Sequence, residues 1–268
     1  MAPDASWSLN PLVLAGVALT AGVYVVRWHR ARREGGARTA PTLRLVCFLG
    51  GVAVLLAALV SPIDSLGAQI LTMHMVQHVL LLDVAPILLI VGLTRALFRP
   101  ATRRLVRVER AAGPLAHPIF AVVLYVAVMW GWHVPALYDA AARHDAVHAL
   151  EHVSFAAAGG LYWWHLLSPI RSRRRLPGLG PVAYMAATKL LVGLLGIVLT
   201  FAPHALYDFY AHQPRYWGLS PSDDQSVAGL VMALEQSIVM GIALAVLFIR
   251  MLSESEREEQ RAERYGTT

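Results

Sequence analysis

The chain has 268 residues, 57% of them hydrophobic and 15% charged, with a mean hydropathy of +0.53. That is too apolar for a soluble domain of this size and points to a polytopic, all-α membrane protein whose first partner is the lipid bilayer. The net charge of +6 would speak for nucleic acid only if the basic residues formed a soluble face, and here they fall between apolar runs, so no nucleic-acid partner is expected. A single cysteine, Cys47, excludes an internal disulfide or a Cys-x-x-Cys site, so any metal must be held by His, Met or carboxylate.

In chain order, the first apolar run is Leu9 to Val26. The ten residues MAPDASWSLN before its core carry no basic residue, and RWHRARREGGAR follows it. This is the reverse of a signal peptide's charge order and predicts a retained first helix with its N-terminus outside. Further spans are predicted at Leu43 to Val60, Ile70 to Leu93, Pro118 to Val134, Ala146 to Leu167, Pro181 to Ala202 and Ser226 to Ile249. These make one seven-helix transmembrane domain over residues 1–268, ending in a charged tail, residues 251–268, that reads as a short solvated cytoplasmic helix.

The arginines check this count. Of 22, all but Arg143 and Arg215 sit at or beyond the ends that an N-outside arrangement places in the cytoplasm: Arg27 to Arg44, Arg95 to Arg110, Arg171 to Arg175, and Arg250 to Arg264. One helix more or fewer would scramble that alternation. The outer connections are rich in aromatic residues, and Trp130, Trp132, Tyr138, Trp163, Trp164 and Trp217 are read as membrane-interface residues.

The third span departs most from plain hydrophobicity. The stretch SPIDSLGAQILTMHMVQHVLLLDVAPILLIVG carries His74, Gln77, His78 and Asp83 within an apolar run. His74 and His78 share one helical face and, at 1.5 Å per residue, lie about 6 and 12 Å below the outer surface. The fifth span repeats the spacing in RHDAVHALEHVSF, with His148 and His152 at matching depth. His133 and His204 close the outer ends of spans four and six. Of eleven histidines, eight map to the outer half or outer loops, whereas His29, His117 and His165 fall near the inner surface.

Two such pairs on different helices can supply four imidazoles to an ion. His74, His78, His148 and His152 are therefore the candidate metal ligands, with His133, His204, Met73, Met232, Glu151 and Glu235 as neighbours in the same layer. Copper is the expected ion, since imidazole suits both its oxidation states and thioether suits the cuprous one. Axial ligation of haem by facing histidines is one alternative. Another is an ion transporter in which Asp83, Glu235 and the lone lysine, Lys189, form a relay; Asp83 and Lys189 can also form a buried ion pair. No catalytic constellation is present.

The stretch quoted above, with WGWHVPALYDAAARHDAVHALEHVSFAAAGGLYWWHLLSP, LTFAPHALYDFYA and DDQSVAGLVMALEQ, resembles the CtaG family of cytochrome c oxidase assembly factors found with Bacillus-type oxidases. The likeness runs from about Arg44 to Ile249 and is not to the single-span copper chaperone of the same name. It implies a multi-pass protein of the bacterial plasma membrane that helps make active haem-copper oxidase by handling copper for the oxidase's buried copper centre. Its partners would be an oxidase subunit and periplasmic copper chaperones.

Overall fold

The computed structural model describes residues 2–98, 102–170 and 176–266, and among them every regular element is a helix. Of the residues in the arginine argument, Arg99, Arg171, Arg173, Arg174 and Arg175 lie outside the described residues. Helix α1 (Pro11–Thr39) starts where the Asn10 side chain accepts from the amides of Leu12 and Val13, with Pro11 preset for a first turn. After α2 (Thr42–Val60), Ser61 caps a short helix, Pro62–Gly67.

The third apolar stretch is built from α3 (Leu71–Val79), a π-helical turn (Leu80–Val84) and α4 (Ala85–Gly92). Next come α5 (Pro118–Trp132), α6 (Pro135–Arg143), α7 (Asp145–Leu167) and α8 (Gly180–Phe201). The last helix, α9 (Pro221–Tyr265), opens on a capping box between Ser220 and Asp223 and runs unbroken for 45 residues into the charged tail.

Among the described residues, five helical stretches are long and apolar enough to cross a membrane: α1, α2, Leu71–Gly92, α8 and α9. A sixth is the pair α5 and α6, bent by 74° around His133 and Val134, if the two make one span. Helix α7 has the length, 23 residues or about 34 Å. It is not among the apolar ones because Asp145, Glu151 and its histidines dilute its hydropathy. The protein is thus a multi-pass helical membrane protein.

Helix α7 packs against the π turn, α4, α5 and α6, while α9 packs on α3 and α8. The approach to the π turn is close. A methyl group on Gly159 would come within 1.8 Å of the Leu82 carbonyl oxygen, so only glycine lets the two backbones meet here. Seven residues before Gly159, on the same side of α7, stands His152.

The two ends of the bundle differ in chemistry. At one end Arg27 and Arg44 donate to the carbonyls of Leu97 and Val91 beyond and within the end of α4. At the other, Asp4 and Gln69 bond each other, Ser8 bonds Asp64 at 2.5 Å, and Arg143 pairs with Asp208 at 2.7 Å. The N-terminal segment therefore lies at the end where α3 begins and α9 begins.

Candidate metal centre

Helix α3 begins without a cap of its own. Asp224 on α9 supplies it, accepting from the amides of Leu71 and Thr72 at 2.8 and 3.0 Å and from the Thr72 hydroxyl at 2.6 Å. Three and seven residues on from Leu71, His74 and His78 are both buried on the face turned toward α7. From α7, Glu151, His148 and His152 face them across the interface that Gly159 permits.

His74, His78, Glu151 and His152 each offer a donor atom such that all four atoms lie within 4.8 Å of one another. His148 adjoins the group, its ring centroid 4.0 Å from His152 and 5.2 Å from His74. The contacts are not hydrogen bonds. His74 Nε2 stands 3.5 Å from one Glu151 oxygen and His78 Nε2 stands 3.6 Å from the other.

Both Glu151 oxygens, both His78 nitrogens, and Nε2 of His74, His148 and His152 are buried without a hydrogen-bond partner. Leaving one such group unpaired costs about 1–3 kcal/mol, and a whole set converging on one point is a poor way to build a core.

The tautomer of His74 sharpens this. The Tyr210 hydroxyl gives its proton to the Gly67 carbonyl at 2.6 Å, so at 2.8 Å it can only accept from His74 Nδ1. In a neutral imidazole that leaves a bare lone pair on Nε2, aimed at a carboxylate oxygen that also has only lone pairs. A proton or a metal ion between two acceptors 3.5 Å apart would satisfy both. A tetrahedral ion with bonds of about 2.0–2.2 Å to nitrogen and oxygen sets its donors roughly 3.3–3.5 Å apart, close to the 3.5 and 3.6 Å from Glu151 to His74 and His78 and inside the 4.8 Å that bounds the whole group. Tyr210 then acts as the outer partner that orients a ligand imidazole.

Of the other residues expected in this layer, His204 is exposed and lies outside the four-residue group, Met73 is half-buried and Met232 packs in the core. His133 is buried near it, 6.3 Å from His78 between ring centroids. Gln77 is spent on structure, donating to the Ala58 carbonyl and to Asp64.

Glu235 belongs to a second, deeper layer with Asp83, Tyr125, Trp163 and Gln236. There Asp83 accepts from Tyr125 at 2.8 and 2.9 Å and from Trp163 Nε1 at 2.7 Å. No Asp83 to Lys189 ion pair occurs among the described residues; Lys189 instead reaches the Gln236 carbonyl at 3.5 Å. Trp163 and Tyr138, expected at the membrane interface, are fully buried. Trp163 is drawn in by its bond to Asp83 and Tyr138 by ring packing on Tyr207, and aromatic type near a span end does not tell such rings from interfacial ones.

The sequence model of the Cytochrome c oxidase caa3 assembly factor family (Caa3_CtaG) matches residues 22–254. The chain belongs to that family. Every residue of the cluster and of the Asp83 layer lies inside the matched range.

Among curated proteins, this family member is 25% identical to Uncharacterized protein ML1998 of Mycobacterium leprae. It is 26% identical to Uncharacterized protein Mb0105 of Mycobacterium bovis. Each alignment covers 97% of this chain and 41% of the relative, so the chain spans about two-fifths of their length. No solved structure matches it.

Proposed function

We propose that the protein supports assembly of haem-copper cytochrome c oxidase by binding a copper ion between α3 and α7 and passing it to the oxidase. The observation that carries this reading is the convergence of unpaired donor atoms from His74, His78, Glu151 and His152, with His148 beside them. Three imidazoles and a carboxylate suit cupric copper or zinc; membership in an oxidase assembly family makes copper the choice. Glu151 counts against haem, because its carboxylate stands 3.5 and 3.6 Å from the His74 and His78 nitrogens, where a porphyrin bound through either would need room. A relay of Asp83, Glu235 and Lys189 is less well supported, since Asp83 is already tied to Tyr125 and Trp163.

The test is metal content after loading with copper and dialysis. Wild type should retain stoichiometric copper, and the double variant His78→Ala, His152→Ala should retain none while keeping its helical circular dichroism. Put back into a deletion strain, the double variant should fail to restore oxidase activity. Full copper occupancy in the double variant would sink the reading.

Seven spans with the N-terminus outside, in the bacterial plasma membrane, complete the proposal. They place the cluster near the outer surface, within reach of periplasmic copper chaperones and of an oxidase subunit. In a Cys47→Ser background, cysteine at exposed Ala146 should react with an impermeant maleimide in intact cells, whereas cysteine at exposed Val108 should not. Labelling with the opposite preference would overturn the orientation.

A further inference from the structure

His133 ends α5, at the break between α5 and α6. Its Nδ1 lies 2.6 Å from the Met129 carbonyl oxygen, which can only accept, so Nδ1 carries a proton. Its Nε2 lies 3.5 Å from the Met75 sulfur, and both residues are buried, Met75 completely. A thioether has no hydrogen to give. With the ring neutral, as its burial favours, Nε2 has none either. The contact is then between two lone pairs, one from an imidazole and one from a soft thioether.

We propose that Met75 and His133 form a second ion position beside the histidine and glutamate cluster, suited to a soft monovalent ion, cuprous copper. With bonds of roughly 2.0 Å to nitrogen and 2.3 Å to sulfur, a 3.5 Å separation subtends about 110° at the ion, an angle that leaves room for a further donor. The ring of His78 lies 6.3 Å from His133 and 6.0 Å from His152, so it stands between the two positions. The donor sets differ in kind. Nitrogen and carboxylate oxygen favour divalent ions, whereas thioether favours the cuprous one. Copper as the ion rests on the function proposed above; the geometry of the pair does not.

X-ray absorption at the copper edge of protein loaded anaerobically with cuprous copper tests this. Wild type should show a sulfur shell at about 2.3 Å. Met75→Leu, a volume-conserving change, should lose that shell and bind cuprous copper at least about tenfold more weakly against a chromophoric chelator, with zinc binding at the cluster unchanged. His133→Gln should lose the sulfur shell as well. No sulfur shell in wild type, or a shell that persists in Met75→Leu, overturns the second position. A sulfur shell that depends on Met75 in a protein that holds neither zinc nor cupric copper would uphold the pair and defeat the cluster reading, so the two fail separately.

Discussion

Two polar layers are threaded by the same stretch of chain, Leu71–Gly92, and they solve the problem of buried charge in opposite ways. In the deeper layer both oxygens of Asp83 meet a donor, Tyr125 reaching both and Trp163 one, while Oε1 of its neighbour Glu235 is left without a partner. In the layer five residues earlier, Glu151 and the histidines around it present lone pairs to one another at distances too long for hydrogen bonds. A satisfied carboxylate holds helices together. Unpaired nitrogen and oxygen atoms that face one another suit a cation. The difference comes from the partners that the neighbouring helices bring, since both layers contain ionisable residues in an apolar span.

Substitutions that treat the layers alike should therefore give opposite results. Glu151→Ala removes a ligand and should cost far more than 100-fold in copper affinity, measured by competition with a chelator. It should leave the melting temperature of the metal-free protein in detergent unchanged or higher, because a buried carboxylate without partners is gone. A lower melting temperature with copper retained would make Glu151 a structural group.

Asp83→Ala should do the reverse. It strands the Tyr125 hydroxyl and the Trp163 indole and should cost on the order of 2–4 kcal/mol of stability while copper stoichiometry holds. Loss of copper from a folded Asp83→Ala protein would join the two layers into one site.

The smallest effect tests the edge of the metal layer. Tyr210→Phe keeps the ring but removes the oxygen that accepts from His74 Nδ1 and bonds Gly67. It should lower copper affinity by about 10- to 100-fold without abolishing binding. An affinity equal to wild type would show that His74 is oriented by packing alone.

Much of this was readable from the residue order, and the limits fall at identifiable places. The paired histidines at i and i+4 on two spans announced the buried histidine cluster, because helical periodicity and the cost of polar groups in lipid act within a single segment. Membership of the CtaG family was equally visible in the four motif stretches. The same local information could not rank the neighbours. Glu235 and Glu151 each stand in an apolar helix, yet only the second faces the imidazoles, because α9 and α7 present them at different depths. Trp163 and Tyr138 looked like interfacial rings and are core groups.

What one segment encodes on its own is its helical state, its apolar run and the face its histidines share. The rest came from chain segments distant in sequence. Asp224 caps α3 from about 150 residues away, and Gly159 lets α7 approach the π turn so that Glu151 faces both His74 and His78. Tyr210 fixes the His74 tautomer, and the bend after α5 sets His133 against Met75. Capping, close backbone approach and tautomer choice each need two groups to meet at hydrogen-bond or van der Waals range. Which groups meet is decided by how the helices pack, and the periodicity of one helix carries no record of its neighbour.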